Sequence, residues 1–169
     1  KVNPDIFTAQ EKGFIFDVGH GAGSFVWKWA APSIEQGYLP DTISTDLHSH
    51  NTCGPVVNMA FVMSKFLSLG LTLEQVIERS TIKPARAINQ SDLGALTVGN
   101  PADIALFEVL DGDFSFVDVR GGKNYGDKMI HNIMTVAGGR VGFDPYGLSL
   151  PYWEDVPKDS RYWQWPRQM

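Results

Sequence analysis

The stretch that decides the fold is FIFDVGHGAGSFVWKWAAPSIEQGYLPDTISTDLHSH, residues 14–50. It contains three of the four histidines and two short runs that we predict to be strands. Phe14 to Val18 is nearly continuous in apolar residues, which is typical of a strand buried on both faces. Thr42 to Thr45 is rich in β-branched residues, which favour strands. Polar residues follow each run: His20 after the first, and Asp46, His48 and His50 after the second.

A predicted helix separates these two strands. It covers Phe25 to Gln36, with Ser24 as a candidate N-cap, Gly37 as a stop and Pro32 as an internal defect. The order strand–helix–strand predicts a parallel α/β unit. In an α/β barrel the chemistry lies at the C-terminal ends of the strands. His20 and Asp46 both follow strand ends, so they are candidates for a metal site.

Composition limits the class of protein. Of 169 residues, 43% are hydrophobic and 20% are charged, which is typical of a globular chain. The net charge of −5 gives no electrostatic case for nucleic acid binding. No apolar run approaches the length of a membrane span, about 18 residues. A single cysteine, Cys53, excludes an internal disulfide and fits the cytoplasm, which is the expected location. The opening KVNPD has neither an initiator Met nor a signal peptide, so we expect a fragment.

Helices and then short strands are predicted after residue 50. Thr72 and Gln75 form a capping box at the start of one helix. The Gly138-Gly139 pair predicts a hairpin turn. The predicted helices are Val56 to Leu69, one from Thr72 to Lys83, and one from Pro84; the predicted strands are a small one within 94–101, then Ala102 to Val109, Phe114 to Val119, 129–137 and Arg140 to Phe143. Residues 150–169 are rich in aromatic residues and prolines, which indicates a surface tail.

Four segments in fixed order carry a family resemblance. They are FDVGHG (16–21), TISTDLH (42–48), TIKPARAI (81–88) and LGALTVGNPADIALF (93–107). Together they resemble the C-terminal part of the amidohydrolase superfamily, in particular its dihydroorotase-like and deacetylase members, over residues 1–145. The resemblance implies an α/β fold: the C-terminal part of a (β/α)8 metal-dependent hydrolase barrel in residues 1–92, then a small β-sandwich segment in 93–149 and the tail in 150–169.

The resemblance also implies a chemistry. His20 matches a metal-ligand histidine, and Asp46 matches the aspartate that contacts the metal and takes the proton from the attacking water. His48 and Gly21 are expected to contact substrate. The cofactor would be a divalent metal, with zinc as the leading candidate and one or two ions in the parent enzyme. The substrate would be a small-molecule amide, cyclic amide or acyl ester.

Other interpretations stay open on the residues alone. His20 reads equally well as a loop histidine, and Asp46 as a helix or loop cap. His48-Ser49-His50 is a His-x-His pair that could bind metal adventitiously. A hydrolytic zinc site needs about three protein ligands, and the family's first-strand His-x-His, bridging lysine and further histidine have no counterpart here. We therefore expect the chain alone to be inactive. The rival hypothesis is a non-catalytic remnant, a binding module that pairs with itself or with a missing N-terminal half.

Overall fold

A computed structural model describes residues 1–158, and it shows a mixed α/β chain with two sheets. In chain order the elements are α1 (Pro4–Glu11), β1 (Asp17–Gly19), α2 (Trp27–Glu35), β2 (Thr42–Ser44), α3 (Met59–Ser68), α4 (Leu73–Ser80), α5 (Ile82–Ala87), β3 (Ile104–Val117), β4 (Lys123–Ala137) and β5 (Arg140–Phe143), followed by a 3-10 turn at Trp153–Asp155. The last eleven residues, 159–169, lie outside the described part, and most of the predicted aromatic tail falls there.

The strands β1 and β2 pair in parallel, with α2 as the connection between them. The prediction of a strand–helix–strand unit is therefore confirmed. The first strand begins at Asp17, later than predicted, because pairing with β2 starts there; Phe14 and Ile15 lie before it and are 66% and 54% exposed. The apolar run at 14–18 thus lies mainly before the strand and does not form its buried centre.

The strands β3, β4 and β5 form an antiparallel sheet in that order. Gly138 and Gly139 make the predicted hairpin, with positive φ angles of 55° and 75° that glycine adopts without strain. The two strands predicted over 102–109 and 114–119 are one strand, because Asp111 to Phe114 is a register shift against β4 and not a turn. The small strand predicted within 94–101 is also wrong, since these residues form turns and bends.

The helix boundaries show which caps operate. The Thr72–Gln75 capping box of α4 is confirmed. Helix α2 begins at Trp27, later than predicted, because the carboxylate of Asp118 accepts its backbone N–H at 3.0 Å and supplies the cap expected from Ser24. Helix α3 begins at Met59 with Asn58 as its N-cap, and α5 begins at Ile82, two residues before Pro84.

A single hydrophobic core joins the two sheets. Helix α3 contacts both β2 and β4. The core includes Phe25 and Ile43 from the parallel part, Phe66 from α3, and Phe116 and Ile130 from the antiparallel sheet. The predicted boundary at residue 93 lies in the connection between α5 and β3, while the core continues across it. Within residues 1–158, none of the helices has the length and hydropathy needed to cross a membrane.

Candidate active site

Strand pairing continues one step beyond β1 and β2. The backbone N–H of His20 donates to the Ser44 carbonyl at 3.2 Å, and that of Gly21 donates to the Thr45 carbonyl at 3.0 Å. These bonds hold the segment after β1 beside the segment after β2. His20 and Gly21 therefore lie next to Thr45 and Asp46 at the C-terminal end of the parallel pair.

The two faces of this strand pair have different side chains. Asp17 pairs with Thr42 and Val18 with Ile43, and side chains alternate between faces along a strand. On the polar face the Asp17 carboxylate accepts hydrogen bonds from the Thr42 hydroxyl at 2.6 Å and the Ser44 hydroxyl at 2.5 Å. On the apolar face Val18 and Ile43 join the hydrophobic core. We call these the open face and the packed face.

Asp46 presents its carboxylate beside Gly21, two residues after the end of β1. A Cβ placed on Gly21 would lie 2.7 Å from Asp46 Oδ2, which is closer than real Cβ contacts allow. The absence of a side chain at Gly21 therefore makes room for the carboxylate. Asp46 itself is exposed and has a left-handed φ of 46°, so the backbone leaves the extended conformation at this residue, two residues after β2.

A buried asparagine fastens the loop that follows Asp46. The Asn51 side chain is fully buried; its Nδ2 donates to the Asp46 carbonyl at 2.9 Å, and its Oδ1 accepts the His48 N–H at 2.8 Å. These two bonds fix the backbone of residues 46–51. The His48 side chain is exposed, and its Nδ1 accepts the His50 N–H at 3.3 Å.

His20 points into the packed face, away from solvent. Its side chain is fully buried and stacks on the Phe25 ring at 4.7 Å between centroids. Its Nδ1 lies 3.0 Å from the Gly21 carbonyl oxygen, and its Nε2 lies 2.7 Å from Lys65 Nζ. Burial lowers the pKa of His20, and the Lys65 charge lowers it further, against backbone hydrogen bonds that raise it. The ring is therefore neutral near pH 7.

Lys65 is a buried lysine with three partners. Its Nζ donates to the Pro55 carbonyl at 2.6 Å and the Val117 carbonyl at 2.7 Å, and it contacts His20. Burial lowers its pKa to about 8, with Asp118 acting in the opposite direction. An ammonium group has only donors, so we assign the Nε2 of His20 as the acceptor and its Nδ1 as the protonated nitrogen.

The described residues do not form a complete metal site. Over residues 1–158, no group of three or more His, Cys, Asp or Glu side chains is arranged to hold a metal ion. Asp46 offers an exposed carboxylate, but both ring nitrogens of His20 are engaged with protein atoms. The geometry of His20 therefore does not fit the predicted ligand role.

Comparison with known proteins places the chain in a family. Residues 29–137 match the model of the amidohydrolase family. The chain belongs to the amidohydrolase family. A deacetylase of Brucella anthropi is 42% identical over 121 residues, which is 69% of this chain and 30% of that protein. The amidohydrolase resemblance predicted from the four sequence segments is thereby confirmed.

Two solved structures of this family resemble the chain. An adenine deaminase superposes with a TM-score of 0.80 at 30% identity, over 85% of this chain and 39% of that one. A dihydroorotase gives a TM-score of 0.72 at 35% identity, over 82% and 38%. The chain thus spans about a third of the length of these relatives. Members of the amidohydrolase family generally use divalent metal ions.

The site therefore assembles part of what the sequence predicted. Gly21 and Asp46 are brought together, while His48 lies in the exposed loop beyond them, and the His48–His50 pair is not on a strand. Sequence reasoning missed Lys65 and Asn51. The signal for Lys65 was available, because it is the one charged residue within α3, a helix otherwise rich in apolar side chains.

Proposed function

We propose that residues 1–92 form the C-terminal part of a metal-dependent hydrolase barrel and that residues 93–149 belong to its β-sandwich. The parallel pair β1–β2, with polar residues after each strand, supports the first assignment. The antiparallel sheet β3–β4–β5 supports the second. The likeness to the adenine deaminase and dihydroorotase structures is consistent with both.

The proposed reaction is hydrolysis of a C–N bond in a small-molecule amide or cyclic amide, with acyl esters as a related substrate class. The named relatives, a deacetylase, an adenine deaminase and a dihydroorotase, are hydrolases that act on C–N bonds. One observation in this chain carries the proposal. It is the exposed Asp46 carboxylate, which lies beside Gly21 at the C-terminal end of the parallel strands.

In this proposal Asp46 is the general base. Its carboxylate takes a proton from the attacking water and returns it to the leaving nitrogen when the C–N bond breaks. Gly21 keeps the space beside the carboxylate free, and His48 lines the mouth of the site. A divalent metal, zinc in our proposal, would be held by Asp46 together with further ligands. Residues 1–158 do not supply those further ligands.

The test places these residues in a complete relative. Residues 1–137 replace the matching segment of the Brucella anthropi deacetylase, and release of acetate from N-acetyl amides and of product from cyclic amides is measured. We expect the Asp46→Asn chimera to lose about 10²- to 10⁴-fold in kcat, the range typical of a removed general base. The matched control is Asp113→Asn, an exposed carboxylate in β3 far along the chain.

Two results would contradict this proposal. One is an Asp46→Asn chimera that folds, as judged by circular dichroism, and keeps more than a tenth of the rate. The other is a folded unsubstituted chimera that hydrolyses none of these substrates. The 169-residue chain alone is expected to be inactive in the same assay, because its described part lacks a complete metal site.

We also propose that the chain associates with itself or with a second chain. Phe14 and Trp29 are 66% and 67% exposed, so a partner chain could cover apolar surface at these two residues. Sedimentation velocity across a concentration series tests this, and a monomer at every concentration would contradict self-association.

A cytoplasmic location is retained as a proposal, supported by the single, exposed Cys53.

A further inference from the structure

We propose that His20 and Lys65 are positioning residues that hold Asp46 in place, and that His20 is not a metal ligand. The inference rests on the proposed role of Asp46. Its test reads the position of Asp46 directly and not through hydrolysis, so the two proposals can fail separately. Two chains of hydrogen bonds lead from the Lys65 ammonium to the two sides of Asp46.

The first chain runs through the histidine. Lys65 Nζ donates to His20 Nε2 at 2.7 Å, and His20 Nδ1 donates to the Gly21 carbonyl at 3.0 Å. The Gly21 N–H then donates to the carbonyl of Thr45, the residue before Asp46, at 3.0 Å. The Gly21 backbone also lies against the Asp46 carboxylate. A shift of the His20 imidazole would therefore move the Gly21 backbone, which lies beside the Asp46 carboxylate.

The second chain runs through the loop after Asp46. Lys65 Nζ donates to the Pro55 carbonyl at 2.6 Å. The same loop is closed by bonds from the N–H groups of Gly54, Val56 and Val57 to the Asn51 carbonyl, each 3.2 Å. The Asn51 side chain then donates to the Asp46 carbonyl at 2.9 Å. One ammonium group thus fixes both segments that flank the carboxylate.

The hydrogen-bonding capacity of the two side chains argues against a metal on His20. An ammonium has three N–H groups, and Lys65 uses them on His20, Pro55 and Val117. A neutral imidazole has one lone pair, and on His20 that lone pair accepts from Lys65. A metal on Nε2 would displace the ammonium and leave a fully buried lysine short of a partner, which is costly.

The packing direction gives an independent reason. His20 follows the packed face, where it stacks on Phe25, whereas Asp46 follows the open face beside Gly21. The Lys65 ammonium also lies over the rings of Phe25 and Phe61, at 5.5 and 5.2 Å. The lowered pKa values of His20 and Lys65 agree with a neutral ring in a desolvated pocket.

The decisive experiment uses the full 169-residue chain and needs no substitution. Long-range ¹H–¹⁵N spectra of the histidine rings are recorded before and after addition of zinc chloride. We expect a His20 ring protonated at Nδ1 and not at Nε2, with both signals unmoved by zinc, while the exposed His48 and His50 act as responsive controls. A His20 Nε2 signal that moves in step with zinc, or an Nε2-protonated ring, would overturn the proposal.

Substitutions then separate positioning from stability alone. We expect Lys65→Met to shift the Gly21 and Asp46 amide signals by more than their line widths. Val62→Ala, a truncation of a fully buried core residue on the same helix, should lower stability and leave those signals in place. His20→Asn, which retains a donor for the Gly21 carbonyl, should recover part of the shift seen in His20→Ala. Equal shifts in Lys65→Met and Val62→Ala would overturn the positioning role.

Discussion

The two faces of one short parallel strand pair have separate tasks. Only three residues of each strand pair with the other, yet the packed face carries Val18 and Ile43 into the core while the open face carries Asp17 and Ser44. His20 continues the packed face and Asp46 ends beside the open one. Two residues that both follow a strand end can therefore have opposite environments, and the face decides which of them is available for chemistry.

The largest difference between the two faces is expected in the free energy of unfolding when neighbouring residues of β2 are substituted. Ile43 is 2% exposed on the packed face, so Ile43→Ala should lower the free energy of unfolding by about 2–5 kcal/mol. Ser44→Ala, on the open face, removes one hydrogen bond to Asp17 and should cost only about 0.5–1.5 kcal/mol. Urea unfolding of both variants measures the difference, and equal losses would mean that the two faces are not distinct.

The pH dependence of the free energy of unfolding tests whether the Lys65 ammonium, which contacts His20, is buried in the folded chain. Burial lowers the pKa of Lys65 from 10.5 to about 8, so between these values the unfolded chain binds more protons than the folded chain. The free energy of unfolding should therefore rise with pH in this window, by up to about 3 kcal/mol at about 1.4 kcal/mol per pKa unit. Below pH 8 the lysine is charged in both states and contributes no slope.

The control for this pH dependence is Lys65→Met, which removes the titrating group. Its unfolding free energy should lack the rise between pH 8 and 10.5 that the unsubstituted chain shows. Lys12→Met, at an exposed lysine, should retain the rise. If the profiles of the unsubstituted chain and Lys65→Met run parallel, the pKa of Lys65 is not lowered in the folded chain.

A smaller effect is expected at the point where the two strand ends meet. Gly21 has a φ of 55°, and a left-handed conformation costs a residue with a side chain about 1–2 kcal/mol. Its added Cβ would also displace the Asp46 carboxylate. Gly21→Ala should therefore lower the free energy of unfolding by about this amount and shift the Asp46 amide signal. Gly23→Ala, where a Cβ meets no atom within 4 Å, is the control.

Much of the fold could be predicted from local sequence signals. The Thr72 capping box and the Gly138-Gly139 turn depend on residues close in the chain, and both predictions are confirmed. The start of α2 could not be predicted in this way, because its cap comes from Asp118, which lies 91 residues away from Trp27. The single long strand β3 was also missed, since Asp111-Gly112-Asp113 is a typical turn sequence and here forms an irregularity within a ladder.

The candidate site was predictable to the extent that strand register determines it. The proximity of Gly21 and Asp46 follows from a parallel pair whose ends coincide. The face occupied by His20 also follows, because it alternates with Gly19 and shares the direction of the apolar Val18. The sequence marks Lys65 as the one charged residue of the apolar helix α3, but its contact with His20 could not be predicted, since a lysine on a helix normally lies in solvent. Only the tertiary structure brings it against three acceptors.

The metal content of the His20→Asn chimera tests most directly whether His20, on the packed face, is a structural residue and not a metal ligand. The Brucella anthropi deacetylase that carries residues 1–137 of this chain is purified with zinc, and its metal-to-protein ratio is measured by atomic emission. We predict that His20→Asn keeps the ratio of the unsubstituted chimera. The loss of one metal ion per chain in a folded His20→Asn chimera would contradict this prediction and restore His20 as a ligand.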